Sequence, residues 1–328
     1  SLGGDVALIS RHIVNEGTLE ASGGTVGLAA GREVLLRDAA LDDGKFLVKV
    51  GDADSSITEA GVIKAANAEL RTHGGNIYAL AGNTGGAISV TGSAKSGGRL
   101  FLTAGGGTVR VSKPVRATRP AASGGGTAGR ASSIVINADI VSIGGLLQAS
   151  HADGKGGSID IGGRDIALKG AEIDVSGASG GGNIRVGGAW QGGDFGALTI
   201  AETVSLDETT LLTANATQSG DGGEVVVWSD SFTQFAGKIE ARGAGAGAGG
   251  DAEVSGKAKL AYSGFTDLSA ESGTFRNLLL DPYNVTISDE AAANSSGTAA
   301  TGDDSIISVT TLEAALSLIH ISEPTSLG

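Results

Sequence analysis

The chain has 328 residues, 40% of them hydrophobic but only 4% aromatic, with 57 glycines, four prolines and a net charge of −13. It is long enough to bury a sizeable core. Its acidity argues against nucleic acid or an anionic membrane surface as a partner, because phosphate contacts need clustered Lys and Arg. With no cysteine, disulfides, thiol nucleophiles and zinc–thiolate sites are excluded together.

Glycine follows no three-residue period, which excludes collagen, and it alternates with β-branched residues, which argues against a flexible linker. No run of about 18 apolar residues appears, so no transmembrane helix is predicted. The chain starts at Ser1 without a methionine or a signal peptide and reads as a piece of a longer protein.

From the first residues onward, Gly-Gly-x-aliphatic recurs: Gly3-Gly4-Asp5-Val6, Gly23-Gly24-Thr25-Val26, Gly74-Gly75-Asn76-Ile77, Gly156-Gly157-Ser158-Ile159, Gly181-Gly182-Asn183-Ile184 and Gly222-Gly223-Glu224-Val225. Gly249-Gly250-Asp251-Ala252 is a looser copy. A second half-motif, aliphatic-x-small, precedes several copies, as in Leu19-Glu20-Ala21, Ile173-Asp174-Val175 and Ile239-Glu240-Ala241. After each Gly-Gly the residues alternate with period two, the signal of a short half-buried strand.

Short strands, glycine turns and a repeat of roughly 20–30 residues point to a solenoid. An all-β, right-handed parallel β-helix accounts for all three, with inward Val, Ile and Leu in ladders about 4.8 Å apart. Glycine is expected to supply positive φ at the corners, and a narrow interior is expected to disfavour aromatic rings. At about 22 residues per coil this predicts about a dozen coils and a rod of about 60 Å.

The β-helix is predicted over residues 1–288, with a protruding loop at about 113–133 that carries Arg116, Arg119 and Arg130. Residues 289–309 read as a linker, and Thr310-x-x-Glu313 as a capping box opening a short helix at 310–317. Residues 318–328 contain LIHISEPT, which looks like a translated sequencing-adapter tail and is set aside. Leu278-Leu279-Leu280 is expected to close the apolar interior, with Asp281-Pro282 turning the chain out.

Five stretches carry a family likeness: Gly23–Leu36 (GGTVGLAAGREVLL), Gly222–Gly243 (GGEVVVWSDSFTQFAGKIEARG), Ala252–Lys257 (AEVSGK), Asn277–Ile287 (NLLLDPYNVTI) and Thr310–Ser317 (TTLEAALS). In this order they resemble the large exoproteins of bacterial two-partner secretion, the filamentous-haemagglutinin-like adhesins. The resemblance spans residues 1–317. It implies a long β-helical fibre, exported by an outer-membrane pore partner and then secreted or held at the bacterial cell surface. It further implies attachment to host cells, glycans or abiotic surfaces, with haem acquisition or toxin delivery in some members. The N-terminal secretion domain of the family is expected to lie outside this chain, and no C-terminal effector is matched.

No residues are singled out as catalytic, cofactor-binding or metal-binding, and no cofactor is expected. His12, His73 and His151 are scattered, and His320 lies in the excluded tail; His73 and His151 read as solvent-exposed loop residues. Gly245-x-Gly247-x-x-Gly250 matches the dinucleotide pattern, but a strand-like Asp251-Ala252-Glu253-Val254 follows where a helix is needed, so it reads as a turn. The alternative to an adhesin is a β-helical glycan-active enzyme, which needs converging carboxylates. Asp303 and Asp304 pair only in the predicted linker, and Asp160, Asp174 and Glu240 fall at outward positions expected to be isolated. A haem-acquisition exoprotein is the other alternative.

Asp153–Gly157 and Asp221–Gly223 are candidate calcium turns, though without the tandem spacing of a calcium β-roll. Asn215, Asn284 and Asn294 head Asn-x-Ser/Thr sequons, read as chance occurrences in an Asn- and Ser-rich chain. Trp190 and Trp228 remain open between core positions and exposed sugar platforms.

Overall fold

The computed structural model describes residues 4–36, 45–50, 55–79, 87–91, 98–118, 131–281, 285–288, 295–296, 299–300 and 305–308. Among them the chain winds as a parallel β-helix, with 23 of its strands joined in one continuous ladder and a single 3-10 turn at Trp190–Gly192. Each coil contributes to three sheets. The first sheet stacks ten rungs, from Val6–Ser10 through Ser158–Ile161 and Glu224–Ser229 to Leu278–Leu280.

The period-two pattern sets which residues face inward. On the first sheet Leu28, Leu70, Leu102, Ile136, Ile161 and Val186 lie in one register, each fully buried. Ile63, Ile88, Val115, Leu147, Ile173, Leu212 and Ile239 form a matching column on the third sheet. Burying each such side chain stabilises by about 1.5–3 kcal/mol, so the ladders dominate the fold.

Regular coils are longer than the sequence reading expects. Ile134, Ile159 and Ile184 are ladder partners 25 residues apart. The two longest spans, between Val26 and Ala68 and between Ile184 and Val225, carry insertions on the first sheet. The result is ten rungs and about 43 Å of rod at ~4.8 Å per step, shorter than the expected dozen coils.

Other expectations also need correction. Within the presumed loop at 113–133, Val115–Thr118 is a regular strand paired on both sides, because Val115 and Ala117 fill inward positions and Pro114 precedes the first ladder residue. Residues 119–130, with Arg119 and Arg130, lie outside the described residues. Within the presumed linker, Ser305–Ser308 pairs in parallel with Val285–Ser288, so strand pairing continues past Asp281. Pro282, the 310–317 helix and the 318–328 tail lie outside the described residues.

The interior also holds rings. Phe235 and Tyr262 stack at 5.2 Å in the column above Leu206, and burial pushes the Tyr262 hydroxyl up to about 12.

The repeated glycines act mostly through close approach. Gly157, Gly182, Gly223 and Gly250 stand on successive rungs where a methyl would overlap the backbone of the rung before. None of them has positive φ. Positive φ is confined to others, such as Gly74, Gly106 and Gly245. The Gly245–Gly250 stretch is a turn leading into the Asp251–Gly256 strand, as read.

Candidate functional site

The outward face of the first sheet is where the two insertions land. Its central outward column runs Gly27, Glu69, Phe101, Val135, Asp160, Arg185, Val226, Glu253. The Glu33–Leu36 and Phe46–Val50 strands pair as an antiparallel hairpin, and Phe46 packs where a side chain on Gly27 would stand. The second insertion, from Gly187 to Thr199, folds over Trp228 through Gly188 and Gly192. Gln191 adopts the left-handed conformation here, φ 52°.

Both insertions are pinned by a buried carboxylate from the same column. Glu69, 3% exposed, accepts hydrogen bonds from the Lys45 amide at 2.7 and 2.8 Å and the Phe46 amide at 3.2 Å. Glu253, fully buried, accepts from the Gln191 amide at 2.7 Å and the Ser255 hydroxyl at 2.8 Å. Burial holds the Glu253 carboxyl above the usual carboxylate range. Backbone donors satisfied by a buried acid fix each insertion in place.

Between the two lies a groove of about 750 Å³. Its floor is the outward face of the middle rungs, including Thr103, Ser133, Val135 and Ser158, and its ends are Phe46–Val48 and Phe195–Leu198. Three guanidiniums line it. Arg71 and Arg99 sit 4.7 and 5.0 Å from the Phe101 ring centre, and Arg185 sits 5.4 Å from that of Phe195. Arg71 also pairs with Glu69 at 3.3 Å. Arg185 donates from Nε to Asp160 at 2.6 Å, and this bond raises its already high pKa further.

The residues weighed from sequence fall in several places. His73 is exposed and lines this groove. His12 is exposed with Nδ1 3.1 Å from the Ser56 hydroxyl. His151 is buried, 8% exposed, with Nδ1 2.9 Å from Asp153, because its segment joins the stack through a parallel bridge to Gly177. Trp190 is half-buried. Trp228 is neither core nor platform: it points outward, yet only 6% is exposed beneath the second insertion.

The outward carboxylates are partnered, not isolated. Asp160 is held by Arg185. Asp174 accepts from Gln148 at 3.2 Å and the Ser176 amide at 2.9 Å. Glu240 pairs with Lys238 at 2.6 Å and Arg242 at 2.8 Å. Arg116 extends this outer ladder by donating to Gln148 at 3.1 Å. Asp221 accepts from the Ala248 amide at 2.8 Å, and among the described residues no group of three acidic or histidine side chains is placed to hold a metal.

Asn215 is 8% exposed, donates to Glu240 at 3.3 Å and accepts from the Arg242 amide at 2.7 Å, so its sequon is consumed by the ladder. Asn284, Asn294, Asp303 and Asp304 lie outside the described residues.

No protein-family model matches this sequence, and no curated protein matches it. Among solved structures, the fold is similar to the HMW1 secretion domain from Haemophilus influenzae, at 20% identity and a TM-score of 0.51, covering 85% of this chain and 80% of that one. This likeness bears out the parallel β-helix. The similar structure is a secretion domain, the kind of region that the sequence reading places outside this chain.

Proposed function

We infer that the chain is a non-catalytic, structural and adhesive segment of an exported bacterial surface protein, presenting the first-sheet groove to host cells or other surfaces. The observation that carries this reading is the unbroken stack of ten rungs bearing a built groove on one outward face. A solenoid of this kind supplies a stiff spacer whose outer face is open to contacts. The carboxylates that hydrolysis or lyase chemistry would need are engaged in anchoring insertions and in ion-paired ladders. The likeness to a domain named for secretion supports export through an outer-membrane partner.

The test is retention of beads coated with the purified chain on cell monolayers and on glass under flow. Folded chain should hold beads well above the level of chain unfolded before coating. Equal retention of the two would overturn the reading.

A further inference from the structure

We propose that the groove binds a linear, carboxylate-bearing oligosaccharide of the uronate type, laid along the rod axis. This names the ligand class for the attachment reading and rests on it. The chain carries a net charge of −13, yet Arg71, Arg99 and Arg185 converge on this one groove. The rung of Arg71 is four steps from that of Arg185, about 19 Å at ~4.8 Å per step. A single small anion reaches one end of that span; an extended polyanion reaches both.

The guanidiniums are held in advance. Each stacks on a phenylalanine ring within 5.4 Å, which limits the side-chain freedom lost on binding. The groove already pairs guanidinium with carboxylate twice, Arg71 with Glu69 and Arg185 with Asp160, and Asp160 engages Arg185 through Nε. That leaves the terminal nitrogens of Arg185 as donors in the fork geometry that carboxylates accept.

The floor between the charges suits a sugar. Arg99, Ser133 and Ser158 follow one another on consecutive rungs of one outward column, placing a guanidinium and two hydroxyls at steps of ~4.8 Å. Val135, half-buried, lies beside them in the neighbouring column and offers apolar surface to a ring face. A nucleic acid matches less well, because the rings that line the groove, Phe46, Phe101 and Phe195, are buried and leave no open face on which bases could stack.

The experiment is calorimetric titration of the folded chain with oligogalacturonate at low salt. Cello-oligosaccharide, poly-glutamate and single-stranded DNA of similar length are run beside it. The proposal expects saturable binding of oligogalacturonate, and about tenfold or greater weakening in Arg99→Gln, the loss of one charged contact. Ser158→Tyr, which fills the floor without touching the interior, should weaken binding as strongly while melting stays unchanged. Equal binding of the neutral sugar, tighter binding of poly-glutamate or DNA, or undiminished affinity in Ser158→Tyr would each overturn it. Bead retention that persists in Ser158→Tyr would place attachment on another face and sink this proposal alone. Loss of retention by the wild-type chain would instead sink the attachment reading.

Discussion

Replacing Gly223 by alanine tests why glycine recurs. Gly223 accepts the Asp251 amide at 3.1 Å and donates to Ala214 at 2.7 Å, while the next residue, Glu224, donates to Gly182 at 3.0 Å. A methyl on Gly223 would overlap the Gly182 carbonyl oxygen and stand 2.9 Å from the Ala214 side chain. Ordinary carbon contacts lie near ~3.5–4.0 Å, and the obstruction is backbone, so the rung itself must shift. Forced overpacking costs about 1–3 kcal/mol, and weakening one or two ladder hydrogen bonds adds about 1 kcal/mol each. We expect about 3–4 kcal/mol in total. Gly105→Ala is the control: its methyl would meet only His73, at 3.4 Å, and its φ is not positive. Urea unfolding followed by circular dichroism should show a large drop in midpoint for Gly223→Ala and almost none for Gly105→Ala. Equal midpoints would refute the close-approach argument and return the motif to a role in turn flexibility.

Glu59 stands at an inward position, fully buried, its two oxygens 2.8 and 2.9 Å from the Asn15 amide nitrogen, and desolvation raises its pKa to about 6. A carboxyl raised on folding stabilises most below its ordinary pKa and loses that contribution as pH rises through about 6. The change is at most about 2 kcal/mol. Urea midpoints should therefore fall between pH 5 and pH 7.5 more steeply in the wild type than in Glu59→Gln, and parallel curves would contradict this. In a Trp190→Phe background, Trp228 fluorescence should be blue-shifted and poorly quenched by acrylamide. Adding Glu253→Ala releases the Gln191 amide and should shift the emission to the red; an unchanged spectrum would mean that Glu253 does not pin the insertion. Expression in a glycosylating host should leave the peptide containing Asn215 at its unmodified mass, since both ends of that amide are bonded.

The stack was legible because its cause is local. Val, Ile and Leu at alternate positions after each Gly-Gly define an inward face wherever they occur, and Ile134, Ile159 and Ile184 show this in their register. The meaning of the glycines was not legible, because a steric overlap with Gly182 depends on which rung lies beneath Gly223. The groove was hidden for a similar reason. Glu69 and Glu253 are 184 residues apart and look like ordinary outward acids, yet each anchors an insertion distant in sequence, across 24 residues to Lys45 and 62 to Gln191. Extra length between Val26 and Ala68 and between Ile184 and Val225, compared with the regular coils, was the signal of the two insertions. His151 was misjudged and Trp228 left open because their burial comes from segments laid over or beside the coil.

The in-register parallel stack is tested most directly by engineered disulfides in this cysteine-free chain. Ser158 and Asn183 are ladder partners on adjacent rungs, and Asn183 and Glu224 are the next such pair. Partners ~4.8 Å apart fall within the range a disulfide spans, whereas Ser158 and Glu224, two rungs and about 9.6 Å apart, do not. Mild oxidation should therefore cross-link Ser158→Cys with Asn183→Cys rapidly in the folded chain, and leave Ser158→Cys with Glu224→Cys reduced. The reverse pattern, or equal reaction of both pairs, would contradict the stacked register on which the groove and its proposed role depend.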